Sequence, residues 1–173
     1  AAGNEYLARI TSLGMSVTRV APRIGFSFAA GSNFFVEIAK YRAARMLWAK
    51  IVKAYGGDDA SARMYIHVTT SLWNKTLYDP YVNMLRTTTE AMSAVLAGID
   101  SLSVGAYDLP AGEAGEFGER IARNQQLLLK EESYLDKVVD PSAGSYFIEK
   151  LTDELAAAAW ARIVAPDLGS IPP

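Results

Sequence analysis

The segment RMYIHVTTS, residues 63–71, predicts the fold more directly than any other part of the sequence. β-Branched and aromatic residues dominate it, and turn-forming residues follow it, which is typical of a β-strand. Successive strand side chains point to opposite faces, so Tyr65, His67 and Thr69 should share one face while apolar residues occupy the other. This alternation predicts a sheet with one polar face and one apolar face.

Two further strands and two long helices are predicted around this segment. RIGFSFAA, which starts at Arg23, and DSLSVGAYD, which starts at Asp100, have the composition of strands. Apolar residues recur at helical spacing in FFVEIAKYRAARMLWAKIVKAY and in YVNMLRTTTEAMSAVLAG, with Asn33 and Asp79 as the predicted N-caps. Strands that alternate with long helices imply parallel pairing through right-handed crossovers.

Three more helices are expected outside this unit. They cover residues 2–13, RIARNQQLLLKEES at residues 120–133, and FIEKLTDELAAAAWARIVA up to Pro166. The order of elements predicts an α/β fold, and a slice of a TIM-type (β/α) barrel fits it better than a complete doubly wound domain. We expect residues 1–173 to form one segment of such a barrel. Because the sequence does not begin with Met, we also expect it to be part of a longer polypeptide.

Composition narrows the function classes. The chain has 173 residues, half of them hydrophobic, which is enough for a substantial core. A formal net charge of -2 with interspersed signs argues against a nucleic-acid partner or a polybasic membrane surface. The lack of cysteine and the single histidine, His67, exclude thiolate and His-rich metal sites. No apolar run approaches the ~20 residues of a membrane span, so we expect no membrane association and a cytoplasmic location, or the mitochondrial matrix in a eukaryote.

The strand that contains His67 and the strand DSLSVGAYD carry the candidate polar site. His67 lies mid-strand, and either a hydrogen-bonded core or rim histidine or a donor aimed into a cavity fits that position. Ser101, Ser103 and Gly105 should form a small polar face on the next strand, which leaves room and donors for a ligand but also allows close packing. Arg23 differs from the other cations because it follows a proline at the start of a strand. Together these residues favour a pocket.

The helix at residues 120–133 has an unusual face. Ile121 and Leu128 should lie on one apolar stripe, yet Asn124 and Gln125 lie between them at helical spacing. Buried amides need partners for both the carbonyl and the amino group. We expect these amides to tie the helix to neighbouring loops.

Four segments of the chain, in the same order, resemble consecutive blocks of the methylmalonyl-CoA mutase family, the adenosylcobalamin-dependent acyl-CoA mutases. The resemblance covers about residues 7–160. The blocks are APRIGFSFAAGSNFFVEIAKYRAARMLW, HVTTSLWNKTLYDPYVNMLRTTTEAM, RIARNQQLLLKEESYLDKVVDPSAGS and AGSYFIEKLTDELAAAAW. The resemblance implies an eight-stranded (β/α) barrel with acyl-CoA threaded through its centre, of which this chain supplies only a part.

The same resemblance implies a set of substrate-binding residues. Arg23 matches an arginine that contacts the coenzyme A moiety, and His67 matches a barrel histidine near the acyl-CoA. Thr69, Ser101 and Gly105 fall at positions of the substrate channel. No residue is assigned as catalytic, and none is assigned to a metal.

The sequence also departs from the catalytic pattern of the family. Catalytic chains typically read HxQTS where this chain reads HVTTS, so Thr69 replaces a glutamine. They read SLHTN where this chain reads SLSVG, so Ser103 and Gly105 replace a histidine and an asparagine. These losses resemble the small, non-catalytic subunit of heterodimeric bacterial mutases.

The implied cofactor and partners follow from this resemblance. The cobalamin domain of the family offers a histidine to cobalt within a D-x-H-x-x-G motif, and this chain has no such motif. Adenosylcobalamin would therefore belong to the family assembly and would not be held by this chain alone. The expected partners are an acyl-CoA and a larger catalytic subunit or the remainder of the barrel. The chain would be either an acyl-CoA-holding component of the isomerase or a structural subunit that supports the catalytic chain. A free-standing acyl-CoA module is less suitable, because its sheet edges would be exposed.

Overall fold

The computed structural model describes residues 1–164 and contains, within that range, six α-helices and one three-stranded sheet. The helices are α1 (Ala2–Ser12), α2 (Val17–Val20), α3 (Phe34–Ala54), α4 (Val82–Leu96), α5 (Glu116–Glu131) and α6 (Tyr146–Val164). The strands are β1 (Gly25–Ala30), β2 (Tyr65–Thr70) and β3 (Ser101–Ser103). Two short 3₁₀ turns cover Ala21–Arg23 and Leu109–Ala111. The predicted end of the last helix at Pro166 lies outside the described residues.

All three strands run parallel, in the spatial order β1-β2-β3. Helix α3 connects β1 to β2 and helix α4 connects β2 to β3, which confirms the predicted parallel pairing through helical connections. The register places Ser27, His67 and Ser101 side by side in one row across the sheet. The carboxyl ends of the strands therefore lie at one edge of the sheet and their amino ends at the other.

The apolar face of the sheet packs against the helices. Ile66 and Val68 are fully buried in the main hydrophobic core. Phe26 on β1 packs edge-on against Trp48 of α3, with ring centroids 4.9 Å apart, and Leu7 of α1 joins the same core. Consecutive strands are neighbours and their connecting helices cover one face, an arrangement that a segment of a (β/α) barrel shares with one half of a doubly wound sheet. The predicted α/β fold class is confirmed.

Several predicted boundaries were wrong. Strand β1 begins at Gly25 and not at Arg23, because Pro22 fixes a helical φ and the segment Ala21–Arg23 forms a 3₁₀ turn. Helix α4 begins at Val82, so Asp79 is not its N-cap. Asp79 instead belongs to a turn, where its carbonyl accepts a hydrogen bond from the Val82 N–H at 3.3 Å.

Helix α5 packs through a different stripe from the predicted one. It begins at Glu116, and Leu128, predicted to be buried together with Ile121, is 46% exposed. The buried stripe is formed by small and aliphatic residues one position further along the chain, Gly118, Ala122 and Leu129. The apolar residues alone therefore did not identify the packed face.

The amides of α5 explain this difference. Gln125 lies on the packed side, and its Nε2 donates to the Met84 carbonyl and to the Thr88 hydroxyl of α4, each at 2.7 Å. Asn124 is exposed. The prediction that both amides tie the helix to loops was wrong, because Gln125 alone is engaged and its partners lie on a helix.

No helix in residues 1–164 is long and apolar enough to cross a membrane.

Candidate functional site

The second face of the sheet is polar and open. It carries Ser27 from β1, His67 and Thr69 from β2, and Ser101 and Ser103 from β3. Ser27 and Ser103 are exposed, and the other three are half-buried. The predicted polar face of β2 is thus confirmed, and its neighbours in the register extend it across all three strands.

A hydrogen-bonded chain joins three side chains at the centre of this open face. The Tyr65 hydroxyl donates to the Ser101 hydroxyl at 3.0 Å, and Ser101 Oγ lies 2.7 Å from His67 Nδ1. The strand register explains the contact, because His67 and Ser101 are paired residues on adjacent parallel strands. His67 is therefore held in place by its neighbour and is neither a buried core residue nor a free surface residue.

Gly105 lies beyond the end of β3 and not within it. The ladder stops at Ser103, so the prediction that Gly105 shares a strand face with Ser101 was wrong. Its backbone N–H donates instead to the Thr70 hydroxyl at the end of β2, at 2.8 Å. A Cβ at this position would lie 3.4 Å from the same hydroxyl. Thr70, which is buried on the same side of β2 as Ile66 and Val68, therefore fixes the backbone of Gly105 at the carboxyl-end edge of the sheet.

Arg23 lies at the opposite edge of the sheet. It is exposed and precedes β1 in the 3₁₀ turn. A strand with the six residues Gly25–Ala30 spans roughly 17 Å between its terminal Cα atoms. The structure brings His67, Thr69 and Ser101 together at the centre, with Arg23 and Gly105 near opposite ends of the face. Such a spread suits a long ligand better than a small one.

A buried ion pair that the sequence did not indicate joins the loop after β2 to helix α4. Lys75 Nζ lies 2.6 Å from a carboxylate oxygen of Glu90 on α4, and the two side chains are only 2% and 1% exposed. Asn74 also donates to this carboxylate, at 2.6 Å. Burial lowers the pKa of the Lys75 ammonium, and the hydrogen bond to Glu90 opposes that effect. The only available signal was a lysine in a loop, which usually indicates a solvated charge.

Tyr65 and Ser27 were also missed as parts of the site. The alternation of β2 had already placed Tyr65 on the polar face, but its contact with Ser101 depends on the register between strands. Ser27 could have been found from the same period-two pattern in RIGFSFAA, where small residues alternate with phenylalanines. The small side chains of β1 keep this part of the face open.

The arrangement offers hydrogen bonds to a ligand. Hydroxyls and one imidazole line the face, and among residues 1–164 no three His, Asp or Glu side chains are close enough together to hold a metal ion. The described part of the chain is therefore best suited to binding and orienting a polar, elongated molecule.

Three parallel strands, connecting helices on one face and a polar open face define the described residues as a segment of a parallel α/β fold. The family model described as Methylmalonyl-CoA mutase matches residues 1–167. This chain belongs to the methylmalonyl-CoA mutase family.

Individual relatives agree with this assignment. The methylmalonyl-CoA mutase small subunit of Porphyromonas gingivalis is 54% identical over 160 residues, which are 91% of this chain and 26% of the relative. The large subunit of the same organism is 44% identical over 162 residues, which are 93% of this chain and 23% of the relative. The methylmalonyl-CoA mutase of Escherichia coli K12 is 44% identical, again over 93% of this chain and 23% of the relative. The chain thus spans about a quarter of the length of the curated relatives that it matches.

The residues of this chain do not fit a cobalamin site of the histidine-ligated kind. Its one histidine lies in the middle of β2, and Ser101 occupies its Nδ1. The ring is held on the sheet by Ser101, and residues 1–173 contain no D-x-H-x-x-G motif that would present a histidine to cobalt.

Proposed function

We propose that this chain forms part of the acyl-CoA-binding barrel of a cobalamin-dependent mutase of the methylmalonyl-CoA mutase type, with the role of a small subunit. The observation that carries the proposal is the open polar face. Ser101 and His67 offer hydrogen bonds to a ligand there, whereas the short side chain of Thr69 and the absence of one at Gly105 offer few contacts to it. An acyl-CoA is long and polar along its pantetheine part, so it suits a face that extends from Arg23 to Gly105. This chain would hold the acyl-CoA without rearranging it.

Two observations on the sequence support the small-subunit role. The chain is 54% identical to the small subunit of P. gingivalis and 44% identical to the large subunit of that organism. Thr69 replaces the glutamine of the catalytic pattern and Gly105 replaces the asparagine, so both positions have lost an amide that could bind the acyl group. Loss of polar partners from a binding site lowers discrimination between substrates by several kcal/mol.

In this proposal the rearrangement belongs to a larger catalytic chain. Adenosylcobalamin held by that chain would supply the radical chemistry, while the barrel positions the substrate and excludes water. A cytoplasmic or mitochondrial-matrix location, where acyl-CoA molecules are made and used, is part of the proposal.

A purely structural subunit is the alternative, and the exposed sheet edges favour it. Strands β1 and β3 each have only one neighbour within residues 1–164. Unpaired strand edges are normally covered by another strand or another chain. If the chain only completed an interface, the polar face would bind no acyl-CoA at all, so ligand binding separates the two functions.

The test is to restore the missing amides in the complete polypeptide that carries this sequence. Two recovered hydrogen bonds of about 1 kcal/mol each should tighten methylmalonyl-CoA binding by roughly thirtyfold in the Thr69→Gln/Gly105→Asn variant. Calorimetric titration measures the affinity, and turnover is assayed after a separate cobalamin domain is added. Thr89→Ala is the matched control, because Thr89 is an exposed threonine of α4 whose hydroxyl bonds only to its own helix.

The outcomes distinguish the two roles. Weak binding by the wild type and tighter binding by the double variant support the acyl-CoA-holding role. Wild-type turnover in the presence of the cobalamin domain would refute the loss of catalysis. No binding by either protein would favour the structural subunit.

A further inference from the structure

The chain of hydrogen bonds from Tyr65 through Ser101 to His67 has a direction, and that direction determines where the imidazole carries its proton. A serine hydroxyl has one proton to donate and two lone pairs that accept. The Tyr65 hydroxyl donates to Ser101 Oγ at 3.0 Å. One lone pair of Ser101 is thereby occupied, and its own proton is free to point at a second neighbour.

That second neighbour is His67 Nδ1, which lies 2.7 Å from Ser101 Oγ. Because donation from Tyr65 polarises the Ser101 hydroxyl, that hydroxyl is strengthened as a donor toward its second neighbour, which favours an unprotonated Nδ1 that accepts. In a neutral imidazole whose Nδ1 accepts, the proton is on Nε2.

We propose that Tyr65 is a positioning residue which, through Ser101, holds His67 in the Nε2–H tautomer. Within residues 1–164, Ser101 is the one hydrogen-bond partner that His67 has through its side chain. Nε2–H remains available as a donor on the open face. The face then selects a ligand oxygen that accepts a hydrogen bond, such as a carbonyl or carboxylate oxygen, and disfavours a ligand group that can only donate.

This inference rests on the proposed function only for the nature of the ligand, since the tautomer is a property of the protein itself. Without Tyr65, the Ser101 hydroxyl loses the polarisation that the Tyr65 donation provides and becomes a weaker donor, so the form in which Ser101 accepts a proton from Nδ1 becomes more populated. The imidazole could then present an unprotonated Nε2, which repels an acceptor oxygen. Tyr65 is half-exposed and lies beside the site, so its removal leaves the packed core unchanged.

Nitrogen NMR of the complete polypeptide, labelled with ¹⁵N at histidine, tests the proposal directly. Residues 1–173 contain a single histidine, so His67 is assigned by comparison with a His67→Gln sample. A pH series followed to its alkaline plateau isolates the neutral ring, and couplings to the ring protons show which nitrogen is protonated. We expect the Nε2–H form alone in the wild type and a mixture with the Nδ1–H form in Tyr65→Phe.

Two results would overturn the proposal: a dominant Nδ1–H form in the wild type, or an unchanged tautomer ratio in Tyr65→Phe. Ser101→Ala should also release the ring and produce the same mixture. Ser27→Ala is the matched control, because Ser27 is paired with His67 from the neighbouring strand β1. This substitution should leave the tautomer ratio unchanged.

Acyl-CoA titration of the same samples separates this inference from the proposed function. Tyr65→Phe should weaken binding by roughly two- to tenfold, which corresponds to one impaired hydrogen bond. If the tautomer shifts as expected and no acyl-CoA binds to any sample, the role of Tyr65 is supported and the proposed function is refuted.

Discussion

Replacement of Lys75 by methionine removes the main partner of a buried carboxylate while it keeps most of the side-chain volume. In the wild type, both oxygens of Glu90 accept from Lys75 Nζ, at 2.6 and 2.8 Å, and one also accepts from Asn74. After Lys75→Met, Asn74 alone would remain, and the carboxylate would still be only about 1% exposed. Removal of one member of a buried ion pair typically costs about 3–5 kcal/mol.

We therefore expect Lys75→Met to lower the free energy of unfolding by about 3–5 kcal/mol. The double variant Lys75→Met/Glu90→Leu removes both charges and should lie within about 2 kcal/mol of the wild type, because an apolar pair of similar volume often replaces a buried ion pair without loss. The double variant would thus be more stable than the single variant from which it is built.

Urea denaturation followed by circular dichroism measures these differences for the wild type, both single variants and the double variant. Hydrogen exchange of residues 71–81 adds a local readout, since Lys75 anchors this loop to α4. If Lys75→Met costs less than about 1 kcal/mol, the value typical of exposed pairs, the pair is solvated and our description of the loop is wrong.

Three further predictions concern packing away from the open face. Hydrogen bonding from Arg42 lowers the pKa of the Glu149 carboxyl. The contribution of this carboxylate to stability is therefore present at pH values above the ordinary glutamate pKa of about 4.3, and it is lost as the pH falls through the lower pKa of the folded state. Protection factors of α6 from hydrogen exchange, which correct for the intrinsic pH dependence of the exchange rate, should therefore fall in acid for the wild type and respond less to pH in Glu149→Gln; equal pH responses would contradict this. Gly57→Ala should destabilise the fold by about 1–3 kcal/mol through overpacking. The added Cβ would overlap a Val52 methyl group and lie 3.0 Å from the Val52 carbonyl oxygen. An unchanged urea midpoint would show that the turn relaxes freely. Gln125→Leu should cost about 1 kcal/mol, because it removes the hydrogen bonds of the amide to the Met84 carbonyl and the Thr88 hydroxyl, which still bond to each other, and a gain in thermal stability would mean that the amide contributes little.

Short-range periodicity was sufficient for the fold. Residues 65–70 alternate strictly, and the structure buries Ile66 and Val68 while it leaves Tyr65 half-exposed, as the pattern predicts. Long helices between strands then require parallel crossovers. These features depend on local geometry, so the sequence alone contains them.

Features that depend on contacts distant in sequence could not be predicted in the same way. The packed stripe of α5 follows from Gln125 meeting hydroxyls and a carbonyl of α4, and the end of β3 follows from Thr70 capturing the Gly105 N–H. The burial of Lys75 depends on Glu90, fifteen residues away on a helix. In each case a polar side chain found a partner that no periodicity encodes.

The candidate site was predicted in part. Alternation placed His67 and Thr69 on one face, and the register confirms that Ser101 lies beside His67. The role of Tyr65 depends on a hydrogen bond to the neighbouring strand. That contact exists only when the strands are paired in the folded sheet. Substrate-binding roles for these residues came from the family resemblance and remain predictions.

The native mass and polypeptide composition of the assembly, purified from its source, test the central claim most directly. We expect a species well above the mass of one polypeptide, in which the polypeptide that carries this sequence is bound to a larger chain containing cobalamin. A native species that contains only a single copy of the polypeptide with this sequence, and no second chain, would contradict the small-subunit role.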